Sequence, residues 1–216
     1  MINWSEIKTV LLDMDGTILD LSFDNYFWSH YVPQAYAVKQ EMSFNEAMVQ
    51  LKPQFIELQG TLNWYCLDYW SEALGLDIVA LKAEISDRVA FREGAVDFLN
   101  FLKEQPIDVY LATNAHPKAL EIKLLSSSFH HYFDDLISSH EFGVPKEDQQ
   151  FWHALQERIG FDCESTLFID DSLSVLNSAR EFGIRHLFGI AQPDSQQQAR
   201  NMLPYHALES FDEIVR

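Results

Sequence analysis

Apolar positions along this chain follow two rhythms. Short runs at Thr9 to Leu12, Ile107 to Ala112, Asp135 to Ser138, Thr166 to Ile169 and Ile184 to Phe188 have the length and content of buried strands. Between them apolar residues recur every three or four positions. Ala95, Phe98, Leu99 and Leu102 make one such stripe; Leu173, Leu176, Ala179 and Phe182 make another, with Gly183 placed as its C-cap. Strands alternating with helices predict an α/β fold built on a doubly wound parallel sheet.

From about Leu21 to Val89 the alternation stops. This stretch is aromatic-rich and has no strand-like run. Leu62, Tyr65, Cys66, Tyr69, Trp70, Ala73 and Leu74 keep to one helical stripe over three turns. The pattern predicts an all-helical cap over residues 21–89, inserted into a core made of residues 1–20 and 90–216. The connections near Ile18 to Ser22 and Ser86 to Glu93 are then the hinges of a lid.

Composition narrows the partners. A chain of 216 residues, 47% hydrophobic, can bury a substantial core. Its 33 acidic against 15 basic residues give a formal charge of −18, which repels nucleic-acid polymers and anionic membranes. A small anion stays admissible, because Mg²⁺ and one lysine can invert the field locally. Cys66 and Cys163 stand in no CxxC or metal-ligand spacing and read as reduced thiols. The first residues carry no apolar signal-peptide core, and no stretch reaches membrane-spanning length. A cytoplasmic protein is expected.

The candidate chemistry sits at strand ends. The first strand runs into Asp13-Met14-Asp15-Gly16-Thr17 and a later one into Asp170-Asp171. Carboxylates this close repel unless a cation lies between them or one is protonated, and Mg²⁺ prefers such oxygen ligands. The second strand runs into Thr113-Asn114, and Pro117 suits the first turn of a helix. A hydroxyl, free backbone N–H groups and a helix N-terminus make a phosphate cradle. Lys146 follows Gly143-Val144-Pro145 in a loop, where an ammonium can neutralise phosphate and hold a carboxylate. Each element alone has an ordinary explanation as a turn, cap or surface charge; their joint occurrence at strand ends points to catalysis. Asp13 is then the nucleophile, Asp15 the general acid and base, and Lys146, Thr113 and backbone amides offset phosphate charge.

At these residues the chain resembles the haloacid dehalogenase-like hydrolases, over its whole length. The resemblance implies a Rossmann-like core and an inserted helical cap. It also implies Mg²⁺ held by Asp13, Asp170 and the backbone carbonyl of Asp15. Pro145 precedes Lys146 where that family often has Pro after Lys, and Asp171 directly follows Asp170, so Asp171 is either a supporting residue or a ligand. Longer segments, including Phe23-Asp24-Asn25-Tyr26-Phe27-Trp28, Leu62 to Trp70 and Thr113-Asn114-Ala115-His116-Pro117, are similar to bacterial GMP/IMP nucleotidases of that superfamily. This implies a purine mononucleotide as the phosphomonoester substrate.

Within the insertion, Tyr65, Tyr69 and Trp70 are expected in its core, whereas Trp64 falls off the stripe as either a second packing face or a base platform. Asp24 or Asn25 can pair with an oxopurine edge, or Asp24 can cap a helix. His116 reads as a surface or capping residue. Other readings are a sugar-phosphate phosphatase or phosphomutase on the same scaffold, weakened by the lack of a Lys/Arg cluster in the cap, and a non-enzymatic receiver-like phosphorylation switch, weakened by the insertion.

Overall fold

Six parallel strands form one sheet in the order β3-β2-β1-β4-β5-β6 in the computed structural model, which describes residues 2–215. In chain order they are β1 (Thr9–Leu12), β2 (Asp108–Thr113), β3 (Asp135–Ser138), β4 (Thr166–Asp170), β5 (His186–Ile190) and β6 (His206–Leu208). Helices α1 (Ser22–Tyr26), α2 (Val32–Lys39), α3 (Phe44–Leu58), α4 (Leu62–Tyr65), α5 (Leu67–Leu74) and α6 (Ile78–Glu84) lie between β1 and β2, followed by α7 (Ala95–Lys103). Then come α8 (Pro117–Ser127), α9 (Gln149–Ile159), α10 (Leu173–Phe182) and α11 (Asp212–Val215).

β1 and β4 are buried along their whole length, as strands covered on both faces must be. Their side chains alternate between two cores. Val10, Leu12, Leu167 and Ile169 join Phe98, Leu99 and Phe211 on one face, while Leu11 and Phe168 join Phe151, Trp152 and Leu176 on the other. Gly183 ends α10 at φ +113°, the left-handed cap that the sequence predicts.

Two expectations change. β6 escapes the periodicity, being only three residues long and only part buried at a sheet edge. The stripe from Leu62 to Leu74 is not one helix: Cys66 is extended at φ −85°, ψ 110°, and its sulfur accepts the Tyr69 N–H at 3.4 Å as the N-cap of α5. An apolar stripe of this spacing survives a one-residue break, so periodicity alone does not see it.

The segment from Ser22 to Arg88 contains helical elements only, including a π-helical turn over Phe27–Tyr31. It has its own apolar cluster, with Phe23, Phe27, Leu51, Leu67, Trp70 and Ile78 buried. Trp70 is fully buried, with the rings of Trp28, Phe55, Trp64 and Tyr69 around it at 5.1–6.1 Å. The two crossings to the sheet run side by side: Asp20 donates its N–H to Ala90, and Arg92 donates to Ile18. No helix of the described residues is long and apolar enough to cross a membrane.

Candidate active site

Register brings the acids together. Leu12 lies opposite Leu111 on one side and Ile169 on the other, so β1, β2 and β4 end nearly level. From β1 the chain adds β2 and β3 to one side and β4 to β6 to the other, which opens a crevice beyond the carboxyl ends of β1 and β4. Asp13 and Asp170, the residues at those ends, are 6% and 1% exposed.

Lys146 ties this edge. Its Nζ donates to Asp13 Oδ1 at 2.5 Å, to Asp170 Oδ2 at 2.7 Å and to the Ala112 carbonyl at 2.9 Å, which uses all three donors of the ammonium. The backbone N–H of Lys146 donates to Asn114 Oδ1 at 2.8 Å, and Asn114 Nδ2 donates to Glu147 Oε2 at 2.9 Å. The Asn114 side chain, expected as a phosphate holder, is therefore spent on fixing the Lys146 loop. Thr113 Oγ1 accepts the Ala115 N–H at 3.0 Å and shapes the turn into α8.

Asp13, Asp170 and Asp171 place carboxylate oxygens within 4.8 Å of one another. All three are pushed up from 3.8 to about 6, first by burial, with neighbouring carboxylates adding to it and Lys146 or, for Asp171, chiefly Arg200 opposing. Lys146 is raised despite its burial, because Asp13 and Asp170 hold it charged. Lys146 and Arg200 together leave one of the three crowded carboxylates uncompensated, and an all-oxygen donor set suits a hard divalent cation. Asp171 thus stands beside the expected ligands, its Oδ2 accepting Arg200 Nη2 at 2.7 Å. Gly16, at φ +86°, lets this loop close: a Cβ there would lie 2.7 Å from Asp171 Cγ.

The Asp15 side chain leaves that cluster and meets a second one. Lys123, on α8, donates to Asp15 and, at 2.7 Å, to Asp24 Oδ2; Lys82, on α6, donates to Asp24 Oδ1 at 2.5 Å. Lys82 and Lys123 are 2% and 1% exposed. Asp24 is held below the usual carboxylate range: burial acts to raise it, and the two lysines outweigh that. Asp15 is instead pushed up to about 6 by burial and by Asp24, against Lys123. Asp24, a candidate for reading a purine edge, has both oxygens taken by these lysines and links the insertion to the core instead.

A cavity of about 730 Å³ rises from the sheet edge between core and insertion. Trp28, Phe55 and Trp64 supply an apolar wall, with Trp64 also stacked at 30° on Trp28. Trp64 therefore serves as packing and as cavity lining at once. Asn25 reaches the same cavity and donates Nδ2 to Asp194 Oδ2 at 2.6 Å. Tyr65, expected in the core of the insertion, crosses to the other side: its hydroxyl donates to Glu147 Oε1 at 2.8 Å. The break at Cys66 is what turns Tyr65 away from the stripe of Trp70.

Sequence reasoning misses Lys82, Lys123 and Arg200, which line the cavity paired with Asp24, Asp15 and Asp171, beside Lys52. These residues escape a search for a local Lys/Arg cluster because they come from four separate elements. A signal existed for two of them: Lys82 and Lys123 each occupy an apolar stripe, where a lysine is buried only with a partner.

A family model described as haloacid dehalogenase-like hydrolase matches residues 7–183. The GMP/IMP nucleotidases YrfG of Escherichia coli (strain K12) and Shigella flexneri are each 46% identical over 214 residues, covering 99% of this chain and 96% of theirs. Among solved structures, an HAD phosphatase from Thermococcus onnurineus superposes with a TM-score of 0.80 at 21% identity, covering 96% of both chains.

Proposed function

This chain belongs to the haloacid dehalogenase-like hydrolases, and from that premise we propose that it is a Mg²⁺-dependent 5′-nucleotidase that releases phosphate from GMP and IMP. The observation that carries the proposal is the division of the two acids of the first loop. Asp13 is clamped by Lys146 beside Asp170, and Asp15 faces the opposite side of the loop with its carboxyl raised to about 6. Both carboxyls are raised to about 6, so the division rests on geometry. Lys146 fixes one oxygen of Asp13 at the sheet edge, and Asp15, turned to the other side of the loop, can hold and return a proton near neutral pH.

Lys146 holds Asp13 Oδ1, which leaves Oδ2 to attack phosphorus. The new Asp13–phosphorus bond forms as the bond to the nucleoside 5′-oxygen breaks, and Asp15 gives its proton to that oxygen. Asp15, now a carboxylate, takes a proton from water as the water attacks phosphorus, and Asp13 is released with free phosphate. The Thr113 hydroxyl and the backbone amides of Met14 and Asp15 bear the charge on the phosphoryl oxygens, and the Lys146 ammonium, held by Asp13 and Asp170, adds its field. Asp13, Asp170 and the Asp15 carbonyl would hold Mg²⁺, with Asp171 as a supporting carboxylate, and the ion would supply further charge neutralisation there.

Residues 21–89 act as a cap over a core of residues 1–20 and 90–216. Their separate apolar cluster and paired crossings support that division. The aromatic wall supports a base rather than a bare sugar in the cavity, since each stacked base contributes ~1–3 kcal/mol. A volume of about 730 Å³ accommodates a small-molecule ligand of nucleotide size. The identity with the YrfG nucleotidases supports the choice of GMP and IMP.

Phosphate release from IMP, GMP, AMP, pyrimidine mononucleotides and sugar phosphates, with Mg²⁺ or EDTA, tests the proposal. GMP and IMP should lead, and EDTA should abolish turnover. Preference for a sugar phosphate over every purine nucleotide would sink the nucleotidase assignment, and undiminished turnover in EDTA would sink the metal requirement.

A further inference from the structure

Outside the acidic crevice, one group of side chains has the chemistry of a softer metal. Cys66 Sγ and ring nitrogens of His116 and His140 all lie within 4.8 Å of one another. They come from three places in the fold. Cys66 is the extended residue between α4 and α5, His116 is the N-cap of α8, and His140 sits in the 3₁₀ turn after β3.

The surroundings hold these groups ready. His116 Nδ1 accepts the Lys118 N–H at 3.3 Å, which fixes the ring with Nε2 towards Asp68, so ligation through Nε2 displaces the proton it carries. The rings of His116 and His140 meet edge to face at 4.9 Å. Ser138 fixes the turn that carries His140: its Oγ accepts the His140 N–H at 3.3 Å and donates to the Ala115 carbonyl at 2.7 Å. That bond also ties the turn to the loop leading into His116. His140 Nε2 is buried and finds no hydrogen-bond partner among the described residues. A buried ring nitrogen left so costs free energy unless something ligates it. The Tyr69 N–H that caps Cys66 Sγ can donate equally to a metal-bound thiolate.

We propose that Cys66, His116 and His140 bind Zn²⁺ or a similar thiophilic divalent cation, as a donor set distinct from Asp13, Asp170 and Asp171, with His116 also lining the shared cavity. One thiolate and two imidazoles match the donor set of zinc and not that of magnesium. Small side-chain adjustments bring such nitrogens and sulfur to tetrahedral distances. The fourth position falls to water or to Asp68, whose Oδ2 is 3.6 Å from His116 Nε2. Cys66 and Asp68 belong to the insertion, and His116 and His140 to the sheet side. The bound ion is therefore a clasp between the two, and it stands two residues from Asn114. The three ligands include none of the catalytic acids and are independent of the substrate.

Cobalt gives the direct test. Metal-stripped protein titrated with Co²⁺ should develop a thiolate-to-cobalt charge-transfer band and the strong visible bands of tetrahedral cobalt. Zn²⁺ should displace the cobalt and bleach both. Cys66→Ser should lose the charge-transfer band and weaken Zn²⁺ binding at least tenfold by calorimetry. His140→Gln should also weaken it tenfold, while Cys163→Ser and Asp170→Asn should leave the band intact. Thermal unfolding of Cys66→Ser without metal should match the parent, which separates lost ligation from misfolding. If the charge-transfer band is absent, or if Zn²⁺ binding is abolished by Asp170→Asn and untouched by Cys66→Ser, the site is refuted.

Discussion

The floor and the roof of the cavity are made in different ways. The floor is the edge of a parallel sheet, where Asp13, Thr113 and Asp170 take their places from strand register and Lys146 joins two of them. The roof is a set of short helices whose cavity-facing residues are placed by aromatic packing around Trp70 and by the Lys82–Asp24–Lys123 chain of ion pairs. Backbone hydrogen bonds hold the floor to sub-ångström tolerance, as bond-making requires. The roof rests on side chains, which can be exchanged for others without disturbing the sheet. On the proposed function, chemistry belongs to the rigid region and choice of substrate to the adaptable one.

The largest expected effect breaks the floor alone. Asp13→Asn should lower kcat by about 10³-fold or more, with KM and thermal unfolding little changed, as measured by phosphate release. The next breaks the roof alone. Trp70→Ala removes a fully buried ring from among four others and should cost ~3–5 kcal/mol in urea unfolding. If the two regions are energetically separate, the residual protein should still react with a small phosphate ester.

A subtler change sharpens the division of labour. Trp64→Leu should lower kcat/KM for IMP by about 10- to 30-fold, within the usual worth of one base stack, yet leave turnover of a phosphate ester lacking a base within about twofold. Equal losses on both substrates would show that Trp64 only holds the roof together.

The smallest effect concerns charge in the floor. Asp13, Asp15, Asp170 and Asp171 are each raised from 3.8 to about 6 without metal. A carboxyl raised on folding contributes stability that is fully present below its unfolded value and is lost as pH rises through its folded value. The melting temperature of metal-free protein should therefore fall between about pH 4 and pH 6, the span of these values. Mg²⁺ at ten times its dissociation constant should restore ~1.4 kcal/mol at neutral pH. Asp170→Asn should flatten the pH response and weaken the Mg²⁺ effect.

The same contrast runs between what could be read from the chain and what could not. Asp13, Thr113 and Asp170 were legible because each follows an apolar run that must be a buried strand, and parallel strands deliver their carboxyl ends to one edge. Lys146 was legible as a lysine in a tight loop among such ends. The all-helical character of the insertion was legible from periodicity, but not the break at Cys66, because one extended residue barely disturbs a stripe. That break sends Tyr65 to Glu147.

Sequence by itself determined the α/β alternation, the place where a helical insertion interrupts it, and the acids waiting at the strand ends. These depend on local spacing, and hydrophobic burial enforces local spacing whatever lies elsewhere in the chain. Only the tertiary structure decided that Lys123 meets Asp15 from 108 residues away, that Asp24 is consumed by two lysines, and that Cys66 meets His116 and His140. Those meetings depend on how helices settle against the sheet, and that is set by the shapes of whole packed surfaces rather than by any short stretch of residues.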